Sequence, residues 1–500
     1  MSEEIKSPSL FSQPRAFSII FFLEIWERWG YYGLQSVLAV FFVKSLGMTD
    51  AESFVVFGAF SSMVYGFVAI GGYVGDKVLG TQRTVILGAV TMMIGYILMA
   101  MAGANKQIVF AALAFVAVGC GLFKANPASL MSKMYAQDDP RLDGAFTLYY
   151  MAVNIGSFFS MLFVPIVGGK YGLHIGFTLC AIGLVLAIAN FVFFRHLLKG
   201  VDSPVGLEPL NYKKFAVVIA SLVILIAVST WMLSNLTVAH WILFIVVVTV
   251  FTIIFKEIVK SQGIERNKMI VAVVLMAEAV VFFTLFQQVF TSLNFFGIKN
   301  VEHVFLGITI DNPEVYQSLS PFWVLAMSPV LAYLYNYYGN QGRDLSMPAK
   351  FATGMAFCAA AFLVLSASAS YFANSQGLVS PWWLVASYLL ISIGELLISG
   401  LGLSMISKLM PQRMIGFTMG AYFLTTAISG VTGGWVASLT AAPQGVTDPL
   451  QTLPIYSQVF LQIGGISSVA ALLMVLVVGP LRRMIHYEDC SDNAELSKNM

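Results

Sequence analysis

Glu24-Ile25-Trp26-Glu27-Arg28-Trp29-Gly30-Tyr31-Tyr32-Gly33 lies inside a run, 17–43, that otherwise reads as membrane-spanning. A charged side chain at membrane depth costs roughly 2.5–3.5 kcal/mol on insertion scales, and such groups face a cavity or one another. Here three fall within five residues. At helical spacing Glu24, Glu27 and Arg28 share one face, which Tyr31, Tyr32 and Gln35 continue one to two turns later. Phe21, Phe22, Ile25, Trp26, Trp29, Leu34 and Val37 supply the apolar remainder. Snorkelling charges would sit at the edge of an apolar run, whereas apolar residues flank this cluster on both sides. An acid–acid–base cluster within a span suits the handling of protons and of a charged substrate.

The rest of the chain has the same solvent. Its 500 residues are 58% hydrophobic and 10% charged, with a mean hydropathy of +0.82. Stretches near the ~20 residues needed to span a bilayer recur throughout, so the chain is an all-α polytopic membrane protein. A net charge of +2 points to no nucleic-acid partner. Cys120, Cys180, Cys358 and Cys490 are scattered without a CxxC pair, which indicates neither a disulfide frame nor a metal site. The first sixteen residues are polar, with no small-residue cleavage site before a short apolar core, and no removable signal peptide is expected.

Fourteen spans are expected: 17–43, 53–76, 83–103, 107–132, 144–168, 173–196, 215–234, 238–258, 269–296, 316–338, 350–373, 381–409, 414–440 and 456–480. They group as a six-helix bundle in 1–198, a linker with two further helices in 199–265, and a second six-helix bundle with a short tail in 266–500. An inside N-terminus places twenty-one of the twenty-seven basic residues on one side, from Lys6 and Arg15 through Arg343 to Lys498. Only Lys44, Lys106, Lys170 and Lys299 lie opposite, with Arg28 and Lys124 inside spans. Both termini are therefore expected in the cytoplasm. The middle pair, 215–258, lacks intramembrane charge and is expected to pack outside a bundle.

Other ionisable residues inside spans are few. Lys124 stands in Gly119-Cys120-Gly121-Leu122-Phe123-Lys124-Ala125-Asn126-Pro127, where Pro127 loosens the helix and glycines permit close approach. Glu395 lies in Ser392-Ile393-Gly394-Glu395-Leu396-Leu397-Ile398-Ser399-Gly400, with Ser399 on its face at i+4. Glu278 lies in the ninth span, Tyr65 interrupts the second, and Tyr149, Tyr150 and Asn154 fall within 146–157. The first six spans thus carry Glu24, Glu27, Arg28 and Lys124, and the last six carry Glu278 and Glu395. A basic pocket on one half and an acid on the other would complement a small zwitterion.

Four separated motifs carry a family resemblance. They are Glu24-x-x-Glu27-Arg28-Trp29-x-Tyr31-Tyr32-Gly33, the loop Gly71 to Arg83, the fifth-span stretch Phe146 to Ser157, and Gly394-Glu395. Together they resemble the proton-coupled oligopeptide transporters, a branch of the major facilitator superfamily, and most of all the bacterial di- and tripeptide permeases. The resemblance implies two six-helix bundles plus two extra helices, a central site between the bundles, and no cofactor. It also implies a bacterial inner-membrane location and, as partners, short peptides, protons and the lipid bilayer, with a monomeric carrier. Residue by residue, Glu24 and Glu27 would couple protons with Arg28 and Lys124 as salt-bridge partners. Arg28, Lys124 and Tyr32 would bind the peptide carboxylate and Glu395 its amino end, with Tyr65, Tyr150, Asn154 and Ser399 lining the pocket. The chain departs from the family in its second half. The family's seventh helix, here the ninth span, has Gln287-Gln288 where an acid is common, its eighth, here the tenth span, has Ser320-Pro321 in place of Asn-Pro, and Tyr422 replaces a Trp. Gln288, Ser320 and Tyr422 are the pocket positions so altered.

No G-x-x-x-x-G-K-[ST] phosphate loop supplies a nucleotide-driven alternative. No HExxH occurs, and the His residues at 174, 196, 240, 303 and 486 fall mostly at span ends, so an enzyme is not indicated. The sequence reads as a proton-coupled importer of di- and tripeptides. The alternative is a facilitator of another small organic anion or zwitterion on the same fold.

Overall fold

Inside a bilayer every backbone N–H and C=O must be paired within its own segment, so apolar runs of this length become helices. The computed structural model describes residues 13–485 apart from 137, 138, 140, 340, 342–344 and 444. Lys6, Arg343, His486, Cys490, Lys498 and both chain ends lie outside the described residues. The long helices are α1 (Phe17–Leu46), α2 (Asp50–Val78), α3 (Thr81–Met101), α4 (Lys106–Ser132), α5 (Arg141–Tyr171), α6 (Leu173–Leu198) and α7 (Tyr212–Ser234). They continue as α8 (Leu236–Lys260), α9 (Gly263–Asn300), α10 (Pro313–Gly339), α11 (Met347–Tyr371), α12 (Trp382–Leu409), α13 (Ile415–Ser438) and α14 (Pro449–Ile485). Thirteen of these are long and apolar enough to cross a membrane. The other, α1, has the length at 30 residues but holds the charged cluster. Each expected span falls on one helix, with ends that differ by a few residues in either direction.

The chain forms two compact units. One takes the chain as far as Gly47 and resumes at Met63–Ser234; the other holds Met48–Ser62 and the chain from Asn235 onward. In the first unit α1 packs along α5 and α6, and α3 along α4 and α6. The α7 helix lies on α4, where Val218 and Leu222 meet Leu79, Val118 and Leu122. In the second unit α11 packs on α14 and α12, α9 on α13, and α10 on α12. The α8 helix rests on α13 and α9. Only 22% of the apolar window of α7 and 11% of that of α8 is buried, so most of their side chains face outward. Between α9 and α10, Leu306 and Gly307, both at positive φ, turn a two-residue hairpin joining Val304–Phe305 to Ile308–Thr309.

Polar residues fix where helices start. Thr49 and Glu52 cap the start of α2 reciprocally: Glu52 Oε2 accepts from the Thr49 N–H at 2.9 Å, and Thr49 Oγ1 accepts from the Glu52 N–H at 3.1 Å. The start of α3 is capped from far along the chain. Asp202, in the connection after α6, accepts from the Thr81 N–H at 2.6 Å and from the Gln82 N–H at 3.4 Å. Gln82 answers by donating to the carbonyls of Leu198 and Val201, and Arg83 donates to that of Glu208. Losing such a cap costs about 0.5–2 kcal/mol. Asp202→Ala should therefore lower the midpoint of thermal denaturation of the purified protein, whereas Asp202→Asn, which still caps, should lose less. Equal midpoints for Asp202→Ala and the parent would show that α3 does not need the cap.

Candidate functional site

Glycine spacing sets α1 against its neighbours. A Cβ on Gly30 would lie 2.5 Å from a Leu184 methyl of α6, and one on Gly33 would lie 2.9 Å from Val164 of α5 and 3.0 Å from the Cys180 sulfur of α6. Bare backbone at these positions lets three helices meet closely. The tightest approach involves α5: a Cβ on Gly156 would stand 2.3 Å from the Ile25 carbonyl oxygen and 3.0 Å from Arg28 Cβ. The charged face of α1 is thereby pressed against α5.

The cluster that results is dry. Glu24 and Arg28 are each 2% exposed and Glu27 is fully buried. Arg28 Nε lies 3.0 Å from Glu24 Oε1 and 2.5 Å from Glu27 Oε2. The two carboxylates do not share their other contacts. Glu24 Oε2 accepts a hydrogen bond from the Tyr149 hydroxyl at 2.8 Å. Beyond Arg28, neither Glu27 oxygen accepts a hydrogen bond among the described residues. The guanidinium also lies 5.5 Å from the centre of the Tyr31 ring, whose hydroxyl accepts from Gln35 at 3.0 Å.

Lys124 is the last residue of the first segment of α4, which breaks there and resumes at Asn126–Ser132. Pro127 accounts for the break, and Asn126 repairs part of it by donating to the carbonyls of Leu122 at 2.6 Å and Gly71 at 3.1 Å. The Lys124 ammonium sits 3.9 Å from the centre of the Tyr65 ring. Its charge also attracts the Glu27 carboxylate at longer range. The direct ion pairs of both acids are therefore with Arg28, because only Arg28 is one turn from Glu24 and adjacent to Glu27 on the same helix. On α5, Asn154 is buried and donates to the Tyr150 carbonyl at 2.9 Å. Tyr32 and Tyr150 are both partly buried.

The second unit holds the remaining candidates. Glu395 is partly buried, one turn before α12 changes to a short 3-10 segment, Ser399–Leu401. Lys124 and Glu395 thus both sit at or beside a break in a helix, where freed backbone and side chains face a ligand more readily. Helix α9 breaks as well, at Gln287–Phe290. Gln287 donates to the Ser61 hydroxyl at 2.8 Å. Gln288 donates to the carbonyls of Thr284 and Gly433 and accepts from Ser292, so its amide is engaged within its own unit. The Ser320 carbonyl accepts from Ser392 at 3.0 Å. Tyr422 is buried edge-on to Phe283 and closes on Gly402, where a Cβ would stand 1.9 Å from its hydroxyl. Glu278 is buried with neither oxygen hydrogen-bonded among the described residues.

Contacts between distant helices leave no mark in a local pattern. Tyr149 lies two turns from Gly156 on α5 and meets Glu24, 125 residues away. The ion pair of Lys299 with Asp50 joins residues 249 apart, and no local pattern announces it.

A sequence model described as the POT family matches residues 82–456. The chain is 52% identical to dipeptide and tripeptide permease A of Pectobacterium carotovorum subsp. carotovorum (strain PC1), over 97% of this chain and 94% of that protein. It is 51% identical to dipeptide and tripeptide permease A of Escherichia coli (strain K12), over 98% and 97%. Among solved structures, tetrameric PepTSo2 superposes with a TM-score of 0.84 at 36% identity, covering 94% of this chain and 99% of that one. A structure from work on substrate recognition in proton dependent oligopeptide transporters gives 0.83 at 38% identity, over 94% and 100%.

The approach of α5 to α1 can be tested at Gly156. A methyl there meets a backbone carbonyl that cannot rotate away, and overpacking of this kind costs about 1–3 kcal/mol. Gly156→Ala should lower the melting midpoint and the rate of uptake. Gly465→Ala, in the interior of α14 with open space around it, should instead raise the midpoint by an amount corresponding to about 0.5–1 kcal/mol. Matching shifts for the two variants would refute the close contact.

Proposed function

Because the chain belongs to the POT family, we propose that it is a proton-coupled secondary active importer of di- and tripeptides working by alternating access. The observation that carries this reading is the dry cluster of α1, with two carboxylates on one guanidinium and the Lys124 ammonium within electrostatic range. Two acids and two bases make the cluster electroneutral. A proton on either acid leaves it with excess positive charge, which a peptide carboxylate neutralises. Proton and peptide therefore favour each other's binding, as a symporter requires.

In this reading Glu24 or Glu27 takes the proton and loosens its hold on Arg28 and Lys124. Arg28, Lys124 and Tyr32 then receive the peptide carboxylate, and Glu395 receives the ammonium. Tyr65, Tyr150, Asn154 and Ser399 line the pocket with Gln288, Ser320 and Tyr422. The 52% identity to a dipeptide and tripeptide permease supports this substrate class. The lysine and arginine bias supports cytoplasmic termini in a bacterial inner membrane. The outward apolar side chains of α7 and α8, such as Val217, Ile245 and Phe255, suit contact with lipid. The monomer is the transporting unit, since each chain carries every residue of the proposed site.

Uptake of a labelled dipeptide into proteoliposomes, with and without an inward proton gradient, tests the reading. Accumulation only with the gradient is the expected result. Lys124→Ala should abolish that accumulation while the protein remains folded and inserted; normal accumulation would leave Lys124 a structural residue. Glu395→Gln should weaken binding of a free-amino dipeptide about ten- to hundredfold, the worth of a charged hydrogen bond of roughly 1.5–3 kcal/mol. An N-acetylated dipeptide should lose far less, and equal losses would remove Glu395 from the ammonium site.

A further inference from the structure

The two acids of α1 carry the same charge on the same helix, but their surroundings differ. Glu24 has one oxygen 3.0 Å from Arg28 Nε and the other 2.8 Å from the Tyr149 hydroxyl. Glu27 has the same guanidinium at 2.5 Å and no second donor at either oxygen among the described residues. Each donor aimed at a carboxylate stabilises the charged form, so of two buried carboxylates on one guanidinium the one without the added hydroxyl gains more from a proton. Among the described residues, the titratable groups within electrostatic range of the pair are Arg28 on α1, Cys120 and Lys124 on α4, Tyr149 on α5 and Tyr96 on α3. Arg28 contacts both acids, whereas the Tyr149 hydroxyl donates to Glu24 and not to Glu27 among the described residues.

We propose that Tyr149 is a positioning residue that makes the two acids unequal: it holds Glu24 as a lasting anion on Arg28 and leaves Glu27 to carry the transported proton. In the coupling step a proton leaves hydronium and forms an O–H bond on Glu27. The same bond breaks when the proton passes to water on the far side. Glu24 keeps Arg28 neutralised throughout, so Arg28 stays oriented while Glu27 releases it. Gly156, two turns along α5 from Tyr149, brings the hydroxyl within reach by letting α5 touch the backbone of α1. The proposal rests on the proton-coupled reading above and assigns the proton to one of its two acids.

The test uses the full-length protein in proteoliposomes. Tyr149→Phe keeps the ring and removes the hydroxyl. The pH profile of proton-driven dipeptide uptake should move toward higher pH by about one unit, a tenfold change in proton concentration, because a second acid now accepts protons. In a Glu24→Gln background the same substitution should shift nothing further. A profile that Tyr149→Phe leaves in place, or an equal shift in both backgrounds, overturns the proposal. Infrared difference spectra on acidification give a second readout that does not depend on Tyr149→Phe folding. The protonated-carboxyl band should vanish in Glu27→Gln and persist in Glu24→Gln. The reverse pattern, with uptake still driven by protons, overturns this assignment and leaves the symport reading standing. Uptake by the parent protein that ignores the gradient overturns both.

Discussion

Two carboxylates sharing one guanidinium inside a single membrane helix is the arrangement on which the rest of this structure depends. Removing one partner from a buried ionic group costs on the order of 3–5 kcal/mol, because the charge left behind has no water to receive it. The neighbours of α1 supply what water would have supplied. Tyr149 reaches Glu24 from α5, and Lys124 adds positive charge from α4. The Arg28 guanidinium also rests beside the Tyr31 ring. A cluster so enclosed responds to a single proton or a single ligand charge, since little solvent is there to absorb the change.

Close helix approach is what allows such enclosure. Lipid tails are as apolar as leucine, so helices in a bilayer gain by contact over bare backbone rather than by burying oil from water. Gly30, Gly33 and Gly156 provide that contact around the cluster. In the second unit the same device recurs, where Gly58 of α2 meets the backbone of Gly430 on α13. Breaks in helices complement these contacts. Those after Lys124, after Ile398 and at Gln287 each free backbone next to a polar or charged side chain.

Outside the apolar spans, the frame is held by conventional polar contacts. Asp202 ties the connection after α6 to the start of α3, and Thr49 with Glu52 fixes the start of α2. The ion pair of Lys299 with Asp50 secures that same end of α2 to the end of α9. These contacts involve side chains that water would otherwise solvate. Their contribution lies in where helices begin and end rather than in total stability.

Fourteen helices and the charged character of the α1 cluster were legible in the amino-acid order alone. The reason is that the cost of polar groups in a bilayer writes itself into hydropathy and into the rarity of charge. Glu24, Glu27, Arg28, Lys124 and Glu395 stood out because each is expensive where it sits, and the break at Lys124 was announced by Pro127. Tertiary structure decided the partners. That Arg28 rather than Lys124 makes the direct ion pairs, that Tyr149 serves Glu24 and not Glu27, and that Asp202 caps a helix 121 residues away all depend on which helix faces meet. Hydropathy is a property of one segment, whereas a hydrogen bond between two helices depends on the rotation of both. That rotation is set by small residues such as Gly156, whose effect is felt only when the opposing backbone is in place.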